Sequence, residues 1–210
     1  MSNDEQILSA LYKAGTESIA LPQLAAQAGL SNARLGERME ALSKLGYVIE
    51  QHPHAGCRLL EAPDALMVDD LKARLFALRN LKLRTQNSEL RTQTGSTILV
   101  FNETSSTNDV VNRMAEEGHA EGLVVIAESQ TAGRGRQGRK WFSPPGKGLW
   151  FSVLLRPELA LESAPRLMVM TAVAVATALR RDTGLPLCIK WPNDILCRGR
   201  KAAGMLVELK

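Results

Sequence analysis

In the first third of the chain the apolar positions recur at helical spacing. Ile7, Leu8, Leu11 and Tyr12 share one face, and Gly15 stands where such a helix stops. A short apolar stretch at 19–21 predicts a strand. Pro22 suits the first turn of a second helix, PQLAAQAG, ending at Gly29. Ser31 caps a third helix whose inward face is Leu35, Met39, Leu42 and Leu45, with Gly46 just past its end. Two β-like runs, 47–50 and 57–60, flank a loop holding His52, Pro53, His54 and Gly56. Leu71, Leu75, Leu78 and Leu81 predict an amphipathic helix with Lys72, Arg74, Arg79, Lys82 and Arg84 as its solvated face, and 84–95 reads as polar loop.

From Thr97 short strand-like runs alternate with helical patterns. A strand at 98–101 leads into Thr104, Ser105, Ser106, Thr107 and Asn108. The last of these caps a helix carrying Val110, Val111, Met114 and Ala115 and ending at Gly118. A helix start at a strand end offers unpaired N–H groups to a ligand, and plain N-capping accounts equally for Ser106 and Thr107. Residues 123–127 and 149–155 read as strands. Pro165 opens a long apolar helix through Arg180 and Arg181, with Met168, Met170, Val173 and Val175 as core. A strand at 187–189 ends in a tight turn, Lys190-Trp191-Pro192-Asn193-Asp194, before 195–196. Arg198, Gly199, Arg200 and Lys201 make a basic turn, and 204–209 is the final strand.

Helix, strand, helix, tight turn, helix, hairpin is the order of a winged helix-turn-helix, and Ala25, Gly29 and Leu30 are placed as in such domains. One function for this arrangement is contact of the third helix with a DNA major groove; a packing or regulatory domain is the other. Charge favours the second. Residues 1–65 carry five Lys/Arg against eight Asp/Glu, whereas 66–95 have a net of +3 and 96–210 a net of +4. The third helix sets Glu37 and Glu40 beside Arg34 and Arg38, where a phosphate-binding surface needs net positive charge. Gly36, in mid-helix, costs about 1 kcal/mol relative to Ala. No further ligand is spaced near His52 and His54, so they read as solvent-exposed rather than metal-binding.

The stretch between the 123–127 and 149–155 strands is SQTAGRGRQGRKWFSPPGKG. It interleaves Gly133, Gly135, Gly138, Gly146 and Gly148 with Arg134, Arg136, Arg139, Lys140 and Lys147, and holds no acidic residue. Clustered glycines let backbone approach a ligand, successive N–H groups make an anion-binding concavity, and guanidinium forks match carboxylate and phosphate oxygens. A flexible loop closing over an anionic small molecule is one reading; a solvated basic hairpin or nucleic-acid patch is the other.

Composition narrows the classes. The 210 residues are 45% hydrophobic, enough for one large domain or two small ones. Cys57, Cys188 and Cys197 have no CxxC spacing, so neither a disulfide framework nor a zinc site is indicated. The polar start MSNDEQ is unlike a signal peptide. The most apolar run, 167–179, falls short of the roughly 20 residues that span a bilayer. A cytoplasmic protein without a membrane partner is expected.

Four motifs in order carry a resemblance: Ser106-Thr107-Asn108; Gln130 followed by AGRGRQGRKWFSPPG; Lys190-Trp-Pro-Asn-Asp; and Arg200-Lys201-x-x-Gly204. Together with RKAAGMLVEL they look like the biotin protein ligases, closely over 97–210 and loosely over 1–65, where bifunctional ligase-repressors carry a winged helix. The resemblance implies an α+β chain, with a winged helix-turn-helix at 1–63, a helical connector and loop at 64–96, and a catalytic domain at 97–210. That domain would resemble the class II aminoacyl-tRNA synthetase core, a mixed, largely antiparallel sheet flanked by helices. The implied reaction is two-step. Biotin's carboxylate attacks the α-phosphate of ATP, giving biotinyl-5′-AMP and pyrophosphate, and a lysine of a biotin carboxyl carrier domain then attacks the anhydride. Mg²⁺ would accompany the ATP.

Carried over position by position, Ser106, Thr107, Asn108, Gln130 and the backbone of Arg134, Gly135 and Arg136 would hold biotin. Arg136 and Lys201 would meet its carboxylate and later the adenylate phosphate, while Gly204 lets backbone approach. Arg139 would reach the ATP phosphates and Trp141 would cover the adenine. Lys190, Asn193 and Asp194 would line the phosphate side, with Asp194 a candidate for the metal and for orienting the acceptor lysine. Trp191 is expected in the core. Family members usually continue past the LVEL strand with a Gly-Ile-Asn loop, more helices and often a small β-barrel. The ending at Lys210 therefore predicts an exposed edge strand, an incomplete adenine site and an incomplete dimer surface. A biotin-sensing or DNA-binding regulator without ligase activity, or an inactive fragment, are the competing readings.

Overall fold

The structure is a computed structural model that describes residues 1–52, 55–82 and 94–209. The expectations that fall on Pro53, His54 and 84–93, and on the side chains of Arg79, Leu81 and Lys82, lie outside the described residues. The chain divides into two compact units, Met1–Val100 and Phe101–Lys210.

The first unit begins with α1, Asn3–Ala14, where the Ser2 hydroxyl accepts from the Glu5 N–H at 3.0 Å and Gly15 closes the helix at φ 62°. Helix α2, Leu21–Gln27, takes Pro22 in its first turn. Helix α3, Asn32–Lys44, starts at Ser31, whose hydroxyl accepts from the Arg34 N–H at 3.3 Å. Ile7, Leu8, Leu11, Leu24, Leu35, Met39 and Leu42 bury almost completely in one core. Leu45, expected on that inward face, is instead half exposed, because it is the C-cap and the helical phase that buries Leu42 has already ended.

Strands β1, Val48–His52, and β2, Gly56–Glu61, pair antiparallel with His52 opposite Gly56. The strand expected at 19–21 is only a single bridge, Ile19 to Cys57, with mutual N–H to O distances of 2.8 Å; Leu21 already belongs to α2. That bridge explains Gly56, since a Cβ there would lie 2.1 Å from the Ile19 carbonyl oxygen.

Helix α4, Val68–Lys82, does not bury the leucine stripe expected of it. Asp70, Ala73 and Ala77 are buried while Leu78 is exposed. Small residues at i, i+3 and i+7 allow a close approach, and α4 packs on α1. Arg74, expected on a solvated face, pairs with Asp70 at 2.6 Å and lies 4.5 Å from the Tyr12 ring centroid. The Tyr12 hydroxyl also donates to Asp70. Burial first, then Asp70, raises the tyrosine's pKa well above its ordinary range.

Strand β3, Thr97–Thr104, contains the division between the units. It is followed by α5, Thr107–Glu116; β4, Leu123–Gln130; β5, Trp150–Val153; α6, Ala164–Thr183; and β6, β7 and β8 at Leu187–Lys190, Asp194–Cys197 and Arg200–Gly204. The expected single sheet is two: β3-β4-β5 and β6-β7-β8, with β4–β5, β6–β7 and β7–β8 antiparallel. In the first, β4 is buried from Leu123 to Ala127, and Val110 and Val111 of α5 are buried with it. In the second, Ala176 of α6 packs with Leu187 and Ile195.

Three expectations need correcting here. On α6 the fully buried positions are Ala172 and Ala176, whereas Met170 is 64% exposed and Val173 is also exposed; alanines let the helix sit close to its sheet. Arg200 and Lys201 belong to β8, the turn being Arg198 and Gly199, both at positive φ. Residues 205–209 form no strand, so the edge strand of the second sheet is β8 rather than 204–209. No helix among the described residues is long and apolar enough to cross a membrane.

Candidate active site

The glycine-rich stretch folds as a hairpin rather than an open loop. Gln130 bridges Ser143 and Arg134 bridges Lys140, while the Trp141 N–H donates to the Gly133 carbonyl at 2.8 Å and the Gly135 N–H to the Arg139 carbonyl at 2.7 Å. Its tip turns through Gln137 and Gly138, both at positive φ. Gly133 is required by space: a Cβ would meet the Trp141 carbonyl oxygen at 2.7 Å and Ser143 Oγ at 2.8 Å. Gly135 is not, since its nearest neighbour would be an ordinary 3.5 Å away.

A polar network fixes the hairpin's base to the start of α5. Gln130 Oε1 accepts from the Thr107 N–H at 2.8 Å and from its hydroxyl at 3.2 Å, and Gln130 Nε2 donates to Ser143 Oγ at 3.0 Å. Thr107 Oγ1 lies 2.7 Å from Ser152 Oγ, which donates to Asn108 Oδ1. Thr107 and Ser143 are buried, so each bond here replaces a lost water contact. The helix starts two residues earlier than expected, at Thr107. Ser106 is the N-cap residue and its hydroxyl makes no capping bond.

Arg134 is held between two carboxylates. Its Nη1 is 2.6 Å from Asp109 Oδ1, and its Nε and Nη2 are each 3.3 Å from Glu208 oxygens. Glu208 also accepts from Asn108 Nδ2 at 3.0 Å and Asn112 Nδ2 at 3.4 Å. Burial works to raise the Glu208 pKa, but the bonds from Arg134 and Asn108 outweigh it and hold the carboxyl below its ordinary value.

A second group of contacts joins the hairpin to the turn and strands of the second sheet. Lys201 Nζ lies 2.7 Å from Asp194 Oδ1 and 4.6 Å from the Trp141 ring centroid. A Cβ on Gly204 would meet Lys201 Cε at 2.8 Å and Trp141 Cη2 at 3.1 Å, so the glycine makes room for both. Arg136 Nη1 donates to Asn193 Oδ1 at 3.0 Å. The structure thus brings together Thr107, Asn108, Gln130 and Arg134 on one side, and Arg136, Trp141, Asn193, Asp194, Lys201 and Gly204 on the other. Arg139 and Lys190 are exposed, and among the described residues their side chains make no ion pair. Trp191, expected in the core, is 78% exposed; it sits in the turn between β6 and β7, beyond the reach of either sheet face.

The donors do not form a metal cage. Asp194 Oδ1 is buried with Lys201 as its charge partner and no well-aligned hydrogen bond. No cluster of three His, Cys, Asp or Glu side chains occurs among the described residues. A concavity of about 300 Å³ in the first unit, lined by Pro22, Leu35, Gly36 and Met39 among others, has no charged lining residue and carries no such chemistry.

Residues 100–210 match the biotin/lipoate A/B protein ligase family. The chain belongs to that family. It is similar to the bifunctional ligase/repressor BirA of Bacillus subtilis, 32% identical over 206 residues, which are 98% of this chain and 59% of that protein. The biotin–[acetyl-CoA-carboxylase] ligase of Mycobacterium tuberculosis is 43% identical over 119 residues, 52% of this chain and 43% of that one. Among solved structures, the biotin protein ligase from Aquifex aeolicus in complex with biotin and ATP is 37% identical, with a TM-score of 0.47 over 54% of this chain and 47% of that chain. This ligase-family chain therefore spans about half the length of the relatives it matches.

Sequence reasoning assigned no role to Asp109, Asn112, Ser143, Ser152 or Glu208. Ser143 lay inside the glycine-rich motif, and Glu208 was the one acid in the apolar run GMLVEL; both signals were legible. Nothing in the sequence linked Ser152 to Thr107.

Proposed function

We propose that this chain ligates biotin to a lysine of a carboxyl carrier domain in an ATP-dependent reaction, with 97–210 as the catalytic domain. The observation that carries the reading is the convergence of Arg136, Trp141 and Lys201 in the segment that matches the family. Two cations and an aromatic ring lie on the same side of the site, with Lys201 Nζ 4.6 Å from the Trp141 ring centroid. Such a site suits the meeting of two anions, because preorganised cations offset the charge that develops as they react.

In this reading the biotin carboxylate oxygen attacks the α-phosphorus, the bond to the bridging oxygen breaks, and pyrophosphate leaves. Lys201 and Arg136 stabilise the carboxylate and then the adenylate phosphate. Thr107, Asn108 and Gln130 orient the biotin ring, with Ser106 beside them and the backbone of 134–136 along the tail. Trp141 covers the adenine and keeps water from the anhydride. Arg139 and Lys190 supply phosphate contacts from the rim. The acceptor amine, oriented by Asp194, then attacks the acyl carbon, AMP leaves with the bond to the acyl carbon broken, and the amine's proton passes to solvent. The donor set argues that any magnesium arrives on the nucleotide's phosphates, and no step here runs through it.

The first unit is proposed as a winged helix-turn-helix over 1–63, with 64–96 as the connector. Its DNA-binding role is not favoured. Arg38 of α3 is bound by Asp4, with Nε at 2.8 Å from Oδ1, so one of the two arginines on that helix is already neutralised. A shift assay on operator-like duplex should show a shallow salt response; a slope of several counterions would restore the repressor reading.

The catalytic test is incubation with biotin, ATP, magnesium and an apo carrier domain, following carrier mass and pyrophosphate. Biotinylation is expected. Biotin binding without pyrophosphate release would make the chain a sensor, and no binding of either ligand would remove both readings.

A further inference from the structure

We propose that Glu208 is the positioning residue that holds the basic hairpin over the anion site, acting through Arg134. The segment after β8 is the shared post from which two of the hairpin's arginines, Arg134 and Arg136, hang. At its start, the Met205 N–H donates to the Asn193 carbonyl at 2.9 Å and Asn193 Nδ2 donates to the Met205 carbonyl at 3.0 Å. Asn193 Oδ1 in turn receives Arg136. Three residues on, Glu208 receives the Nε–Nη2 edge of Arg134 together with Asn108 and Asn112 of α5. Asp109 takes the remaining Arg134 nitrogen. One carboxylate therefore joins hairpin, helix and post.

The hairpin needs such an anchor because of its composition. Its stretch carries five cations and no acid, and mutual repulsion favours an open arrangement unless carboxylates from elsewhere offset it. With Arg134 spent on Glu208 and Asp109, its side chain leaves the ligand to Arg136 and Lys201, and its backbone is held fixed beside Gly135. Glu208 touches neither ligand in this account; it sets where the backbone of 134–136 sits.

The test uses the 210-residue chain and its Glu208→Gln, Glu208→Asp, Arg134→Gln and Glu208→Gln/Arg134→Gln variants. Trypsin cleavage after Arg136, Arg139 and Lys140 in the ligand-free chain reads hairpin opening and does not depend on activity. Losing a partly exposed charge-assisted pair corresponds to an opening roughly five- to tenfold more frequent. Glu208→Gln and Arg134→Gln should each speed cleavage by that factor, the double variant no more than either, and Glu208→Asp should recover part of the protection by keeping the charge. The kinetic half rests on the ligase reading: KM for biotin should rise by a similar factor while kcat changes less. If Glu208→Gln lowers the melting temperature of the whole chain, Asp109→Asn, which loosens the same arginine from α5, carries the test with a smaller rise in cleavage. Unchanged cleavage in both Glu208→Gln and Asp109→Asn, or additive effects in the double variant, would overturn the inference. A wild-type chain that fails to bind biotin would instead overturn the ligase reading and leave the cleavage comparison decisive for Glu208.

Discussion

Lys201 Nζ lies 2.7 Å from Asp194 Oδ1. The lysine assigned to the substrate anion is thus already neutralised in the ligand-free chain, and an incoming carboxylate must compete with Asp194 for it. The carboxylate oxygen is itself buried, so the pair is a structural unit whatever part it takes in the proposed reaction.

Lys201→Gln should lower adenylate formation by roughly 10²- to 10³-fold, as for removal of a preorganised electrostatic donor. It should also destabilise the fold by about 1–3 kcal/mol, because Asp194 loses its partner. Adding Asp194→Asn should restore most of the stability and none of the activity, which denaturant melts and a pyrophosphate assay distinguish.

Gly133→Ala and Gly135→Ala should diverge. The first places a Cβ 2.7 Å from a backbone oxygen, and the second leaves 3.5 Å. Gly133→Ala should disrupt the hairpin at a cost of about 1–3 kcal/mol and abolish measurable biotin binding by calorimetry. Gly135→Ala should change stability by less than about 1 kcal/mol. Equal effects at both positions would mean that the Trp141–Gly133 register is wrong.

Thr107→Val keeps the side chain's shape and removes its hydroxyl from between Gln130 and Ser152. Burial makes the loss count, at about 1–2 kcal/mol. The biotin KM should rise with it, since Gln130 loses one of the contacts that orient it. A thermal melt unchanged from wild type would contradict the network.

Glu208 gives the chain a pH signature. Its folded pKa is lowered from the ordinary 4.5, so the stability it contributes is fully present above the unfolded value. That contribution disappears as pH falls through the folded value. Glu208→Gln should therefore be less stable than wild type at neutral pH, with the gap closing in acid. Denaturant midpoints measured from pH 7 downwards should show that convergence, and a gap constant with pH would show that the carboxylate's charge is not what Arg134 holds.

Much of the fold was legible in local pattern. Gly15, Ser31 and Gly46 mark the end of α1 and both ends of α3 through capping chemistry that acts within a few residues, so these ends follow from sequence. The phase of a uniformly apolar helix does not. On α6, Met170 and Val173 look as buriable as Ala172 and Ala176, and only the approach of the β6-β7-β8 sheet selects the alanines. The same holds for α4, where Asp70 and Ala73 displaced a leucine stripe because α1 offered a close surface and a tyrosine hydroxyl. Trp191 was placed in the core on hydrophobicity alone, yet a turn residue has no sheet face to cover.

The four motifs determined the family and supplied residue types suited to an anion, because glycine clusters and arginine forks carry that chemistry wherever they are placed. Which partner each of those arginines takes was decided by tertiary structure. Arg134 and Arg136 are two positions apart and chemically alike, but Glu208 and Asp109 take the first and Asn193 the second. The partners lie 25 to 74 residues away in sequence, and polar groups that distant find one another only after the chain between them has folded.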